Sequence, residues 1–506
     1  MSDRVISMAY KPWTRNVFLL ACLLLAQPTF AIGWSLILQQ GQIGLALPDV
    51  QSGDWRATGI RTDMVTSVEA DERKIIVHFK PGSRLQAARV IHDRSGVATE
   101  LDNVQVDLSD ATLTVNLSGT GTVINRSALA GNLTIAIGEV RHPGIRPQSW
   151  HFEGRIDGAW ADLNIDGQLR SDSGLLANVT LRNVPEKFLM ARVTLAMAAE
   201  QISKTLATTL SDWPELLELN AGQLRVDATL RLEADSPLAL EARVDADSVS
   251  GLMDRTALSG LTGRLLINLE DDALVARFRD VTIAQINSGI GIGPIRFLAD
   301  YRANQSDLFA GILDIQQANA SFLDGRLRVA PGAIDLATEP WLLPIDVHEV
   351  SLDRLLQVYP AEGFSGSGEL SGRVPVMVSA SGLSVEQGKL AAVAPGGMLL
   401  LPAERLQTML GRSQAMELVV QALQNFHYSV LDSTIDYDKD GRLVLGLRLE
   451  GQNPDIKGGQ PVVLNINLEE DIPALLTSLQ LSGRVNEAVT ERVRERLEQS
   501  GQEIMP

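Results

Sequence analysis

The sequence predicts a mainly β chain: an elongated stack of antiparallel strands with a few amphipathic helices near 194–219, 404–426 and the C-terminus. Three observations carry this. Apolar and polar residues alternate with period two in run after run. Ala111-Thr112-Leu113-Thr114-Val115-Asn116-Leu117 is one, and Leu133 to Val140, Leu163 to Arg170, Leu224 to Glu233 and Leu238 to Asp247 are others. A strand points successive side chains to opposite faces, so each run has one apolar and one polar face. Turn formers cluster between the runs, as in Ser118-Gly119-Thr120-Gly121, Ser171-Asp172-Ser173-Gly174 and Asn220-Ala221-Gly222. They recur every ~10–20 residues without a βαβ rhythm, which favours antiparallel pairing. Finally, residues 221–252 and 258–283 loosely repeat a Gly turn, a strand, an acidic turn and a second strand. Degenerate hairpin repeats suggest units that contact mainly their neighbours.

Taken from the N-terminus, Arg4, Lys11 and Arg15 precede the apolar run Val17 to Ala26, and Thr29-Phe30-Ala31 offers small residues before a cleavage point. This order fits a secretory signal over residues 1–31. An uncleaved anchor over 17–38 is equally long enough to span a bilayer. Both place the rest of the chain outside the cytoplasm. The β-repeat region is expected over 32–344 and a C-terminal β region ending in helices over 345–506. Among the helices, Leu406, Met409, Leu410, Met416, Val419, Val420 and Leu423 fall largely on one side of 404–426. A short helix is expected over Pro473–Leu479, and a last helix with only a thin apolar stripe over Val485–Gln499.

Composition excludes several functions. With 44 Lys+Arg against 62 Asp+Glu the net charge is −18, which argues against nucleic acid as a partner. A single cysteine rules out an internal disulfide and cysteine-based metal sites. The six histidines (His78, His92, His142, His151, His348 and His427) stand apart, so no zinc site is expected. Asp436-Tyr437-Asp438-Lys439-Asp440-Gly441 resembles the start of a calcium loop, but Leu447 stands where the loop needs a bidentate acid. A hairpin turn is the expected structure. Gly289 to Pro294 and Gly363 to Ser367 lack the remaining residues of a phosphate loop and a nucleophile elbow. No catalytic residue, metal or cofactor is expected, and the chain does not read as an enzyme.

The apolar strand faces are therefore the functional candidates. Leu443, Leu445, Leu447 and Leu449 share one face of a strand, and Leu464, Ile466 and Leu468 share one face of the next. Such faces either pack on each other in a closed sandwich or stay open as a groove that shields acyl chains.

Residues 425–485 resemble the C-terminal end of YdbH-like proteins, within the AsmA-like group of intermembrane lipid-transfer proteins. The resemblance is carried by Tyr437-Asp438-Lys439-Asp440-Gly441, by Leu449-Glu450-Gly451-Gln452-Asn453-Pro454-Asp455 and by Asn467 to Leu476. Residues 318–337 and 358–376 add to it, and a weaker likeness runs back to about residue 160. It implies a curved, taco-like apolar groove in a periplasmic protein that moves phospholipid between the inner and outer membranes of Gram-negative bacteria. The groove would be lined by Leu443, Leu445, Leu447, Leu449, Leu464, Ile466 and Leu468. The resemblance also implies a small outer-membrane lipoprotein of the YnbE type as partner, added as a strand along Val462, Val463, Asn465 and Asn467. A closed periplasmic scaffold and a carboxylate-binding transport component remain the alternatives. The chain is shorter than typical members. Three quarters of residues 32–506 as strands, one per ~13 residues at ~4.8 Å, gives on the order of 130 Å.

Overall fold

The computed structural model describes residues 35–475, except 53, 95–96, 119–125, 186, 234–237, 271–272, 305–306, 359–364, 403–413 and 457–458. Its strands form one 29-stranded sheet. Every recorded pairing is antiparallel, and the ladder follows chain order from Ser35–Ser52, which pairs with Trp55–Asp71, to Pro461–Asp471, which pairs with Arg442–Gln452. A few rungs are made of two shorter strands. Trp55–Asp71, for example, pairs with Lys74–Phe79 over one half and with Arg84–Arg94 over the other. About 22 successive rungs at ~4.8 Å give on the order of 100 Å along the sheet.

The two long margins of the sheet differ. Along one, tight hairpins join the strands, for example Ala159 to Asp162 and Ser379 to Gly382. Along the other lie three described helices: α1 (Ala199–Thr209), α2 (Leu352–Val358) and α3 (Gln414–Leu423). Helix α1 is tied to strands on both sides. The Ser203 hydroxyl accepts from the Leu219 N–H at 3.1 Å, and Leu210 forms an isolated bridge with Ile145.

The expected helix over 194–219 is shorter than its window. Residues up to Ala198 and from Leu217 are strand, because Val193, Leu195 and Met197 keep period two until the helix begins. In the 404–426 window, Gln414–Leu423 is helical, Phe426 already opens a strand, and 403–413 lie outside the described residues. Residues 472–475 make a helical turn; Val485–Gln499 lies outside the described residues. Residues 1–34 lie outside them too, whereas 35–38 belong to the first strand and pair with 68–71. The expected anchor window therefore overlaps the sheet by four residues.

One device recurs inside the strands. Asn103, Ser248, Asp280, Glu349 and Gln387 have φ between 53° and 55°, and Gly59 and Gly260 have φ of 62° and 63°. Register shifts accompany Ser248, Asp280, Glu349 and Gln387. These are β-bulges, which bend a strand and sharpen its twist. A side chain on the adjacent strand accepts the bulge N–H in four cases. Ser248 donates to Thr262 Oγ1 at 3.0 Å, Gly260 to Ser250 Oγ at 3.0 Å, Glu349 to Ser371 Oγ at 2.9 Å and Gln387 to Asp436 Oδ1 at 2.8 Å. Each cap satisfies a donor that the distorted ladder leaves over.

Candidate functional site

Register joins the apolar sides of the strands into one face. Leu195, Val226, Val244, Leu265, Phe278 and Ala299 form a single row across six neighbouring strands, each paired with the next. Five of the six are only half-buried. In a closed sandwich a second sheet would bury such a row. Here the row keeps part of its apolar surface accessible to solvent.

The opposite face is polar. Arg89 and Arg141 both bond Asp102, at 2.7 and 2.6 Å, and Arg243 and Arg264 share Asp245 at 2.6 and 3.1 Å. Arg182 pairs with Asp162 and Arg373 with Asp346, each at 2.7 Å. The hydrogen bond from Arg89 is the largest influence holding the Asp102 carboxyl below its ordinary pKa, with Arg141 adding to it. Exposed pairs of this kind contribute only about 0–1 kcal/mol each. Their consequence is directional: these arginines are engaged on the polar face and leave the other face apolar.

Two regions of the apolar side are packed shut. Leu133, Phe152, Ile156 and Leu163 form one cluster. The other, near the C-terminal end, gathers Leu352, Leu370, Leu399, Val420, Leu423, Phe426, Tyr428, Leu431, Leu449 and Leu464. Burial pushes the Tyr428 hydroxyl pKa up, and that hydroxyl donates to the Ser367 carbonyl at 2.8 Å.

The predicted lining residues fall on one face as paired rungs. Leu445 lies opposite Leu468, Leu447 opposite Ile466, and Leu449 opposite Leu464; Leu443 lies opposite Glu470. They divide by burial. Leu449 and Leu464 are 2% and 8% exposed, within the C-terminal core, and Ile466 packs against it. Leu443, Leu445, Leu447 and Leu468 are half-buried. Val462, Val463, Asn465 and Asn467 all lie on the strand Pro461–Asp471, which pairs on one side with Arg442–Gln452. Val463, Asn465 and Asn467 are on its polar face, opposite Glu450, Arg448 and Gly446; Val462 is on the apolar one, opposite Gly451. Among the described strands none pairs with its other side.

The acidic motif is a turn. Asp438 Oδ1 accepts from the N–H groups of Asp440 and Arg442 at 3.0 and 2.9 Å, and Asp436 caps the Gln387 bulge. Two residue sets escaped sequence reasoning. One is the bulges, whose signal is two consecutive non-apolar residues interrupting the alternation. The other is Asn453, whose side chain donates to the Gln421 and Ala422 carbonyls at the end of α3, at 2.9 and 3.3 Å.

Fold and site together define an antiparallel β protein of one continuous sheet whose strands share one apolar face. A family model described as YdbH-like, intermembrane phospholipid transport protein YdbH, matches residues 18–494, and the chain belongs to that family. No curated protein and no solved structure matches the chain. Membership makes lipid transport its role, with phospholipid as cargo and the cell envelope as its setting. Among the described residues no helix is long and apolar enough to cross a membrane.

Proposed function

We propose that the chain is a periplasmic, non-enzymatic carrier that moves phospholipid between the inner and outer membranes and so maintains the outer-membrane lipid composition. Acyl chains lie on the apolar face and headgroups stay at the wet margins. The observation that carries this reading is the continuous apolar row from strand to strand, five of its six residues half-buried. The bulges support it, since bends repeated in many strands curl a wide sheet into a trough. Carriage needs no chemistry. A 16-carbon acyl chain in water costs on the order of 13 kcal/mol at ~0.8 kcal/mol per methylene, and an apolar trough removes most of that barrier. The outer-membrane end is the edge strand Pro461–Asp471, where a small lipoprotein of the YnbE type adds a strand.

Lipid extraction and mass spectrometry of the purified protein tests the cargo, and vesicle-to-vesicle transfer tests the surface. Leu445→Asp places a charge among acyl chains without a partner and should cut transfer roughly tenfold or more, the loss that about 1.4 kcal/mol produces. Asn178→Asp, exposed on the polar face opposite Thr194, should leave it unchanged. Protein free of lipid, together with Leu445→Asp transferring as wild type, would refute the reading.

A further inference from the structure

We infer that helix α3 is a fixed wall over the helix-margin half of the apolar face at the C-terminal end, confining the lipid path there to the hairpin-margin half beside Leu443, Leu445, Leu447 and Leu468. This rests on the reading that lipid lies on the apolar face. The contrast is made within single strands. Leu449 and Leu447 share a face of one strand, about 7 Å apart, yet Leu449 is 2% exposed while Leu447 is half-buried. Leu464 and Leu468 differ in the same way on the next strand. The strands do not change between these positions; the cover does. Leu423 and Val420 of α3, 1% and 3% exposed, join Leu449, Leu464 and Phe426 in one core.

The helix is also fastened. Asn453, 4% exposed, donates to two carbonyls at the helix end, and its own Oδ1 accepts from the Asp455 N–H at 2.8 Å. Leu401 N–H adds a bond to the Leu423 carbonyl at 3.2 Å. Lifting α3 would expose the fully buried Phe426 and break all of these contacts at once, so the helix bounds the path instead of opening it. A lipid crossing the last strand therefore passes Leu468, not Leu464. A partner strand continues the lipid surface only if its apolar side chains meet that end.

The test uses the full protein loaded with a phosphatidylethanolamine carrying a diazirine in one acyl chain, photolysed and mapped by peptide mass spectrometry. Adducts are expected at Leu443–Leu447 and Leu468. Leu423, Phe426, Leu449 and Leu464 should give about a tenth of that yield or less, because a close-packed core has no room for a chain. Equal yield on the two sets would overturn the inference. Adducts on earlier rows, such as Val244 and Leu265, with none at Leu443–Leu447 or Leu468, would overturn it while leaving the lipid surface intact. No adducts anywhere on the apolar face would overturn the lipid-surface reading and the inference with it.

Discussion

Asn453→Asp should loosen α3 at least as much as Asn453→Ala, although aspartate is nearly isosteric with asparagine. The Asn453 amide donates to the Gln421 and Ala422 carbonyls and accepts from the Asp455 N–H. Alanine removes all three bonds from a site only 4% exposed. Each net bond contributes about 0.5–1.5 kcal/mol, and each buried group left unpaired costs about 1–3 kcal/mol, so the loss is roughly 2–4 kcal/mol. Aspartate keeps the acceptor but offers no donor, and sets a carboxylate against the negative end of the helix dipole. A stack of neighbour-contacting strands need not unfold in one step, so the measurement should be local. Hydrogen exchange of the 419–423 amides should accelerate roughly 30- to 1,000-fold in both variants, with global secondary structure retained. Exchange in Asn453→Asp at the wild-type rate would refute the latch and remove the fastening on which the wall depends.

Other outcomes follow from the same geometry. Ser248 holds φ of 53°, so Ser248→Gly should stabilise the strands around it by about 0.5–1 kcal/mol while Ser248→Val destabilises them by about 1–3 kcal/mol; the reverse order in local exchange would deny the bulge its conformational role. Calcium titrated into the protein should show no binding tighter than roughly 0.1 mM, because Asp436 and Asp438 already accept backbone N–H groups; a micromolar isotherm abolished by Asp438→Ala would overturn this. Proline at Asn465 and proline at Ile466 remove N–H groups that point to opposite edges of one strand. One of the two should lower lipoprotein capture in a folded protein, while Asn465→Ser retains it; capture at wild-type level by both prolines would end the strand-addition proposal.

The alternation of Leu443 to Leu449 and Leu464 to Leu468 was legible because period two needs only local sequence, and the observed register keeps both sets on one face. The expected strand runs nevertheless stop short. Leu238 to Asp247 ends at the bulge, whereas the strand runs on from Ala239 to Met253. The interruption itself was readable: Ala246-Asp247-Ser248-Val249, Phe278-Arg279-Asp280-Val281 and Val347-His348-Glu349-Val350 each set two polar residues between apolar ones. In a bulge the extra residue turns outward, so the next apolar side chain returns to the same face. What no local pattern could give is the cover. Leu423, Leu449 and Leu464 meet only after the sheet forms, and nothing in the period of α3 names its partner strands. The motif residues that carry the family resemblance fit this division. Asp438 caps its own turn and Asn453 fastens a helix, so these polar motifs shape the end of the sheet. A lipid-facing position asks only for an apolar side chain at every second place, a requirement that many sequences meet and that leaves no motif to find.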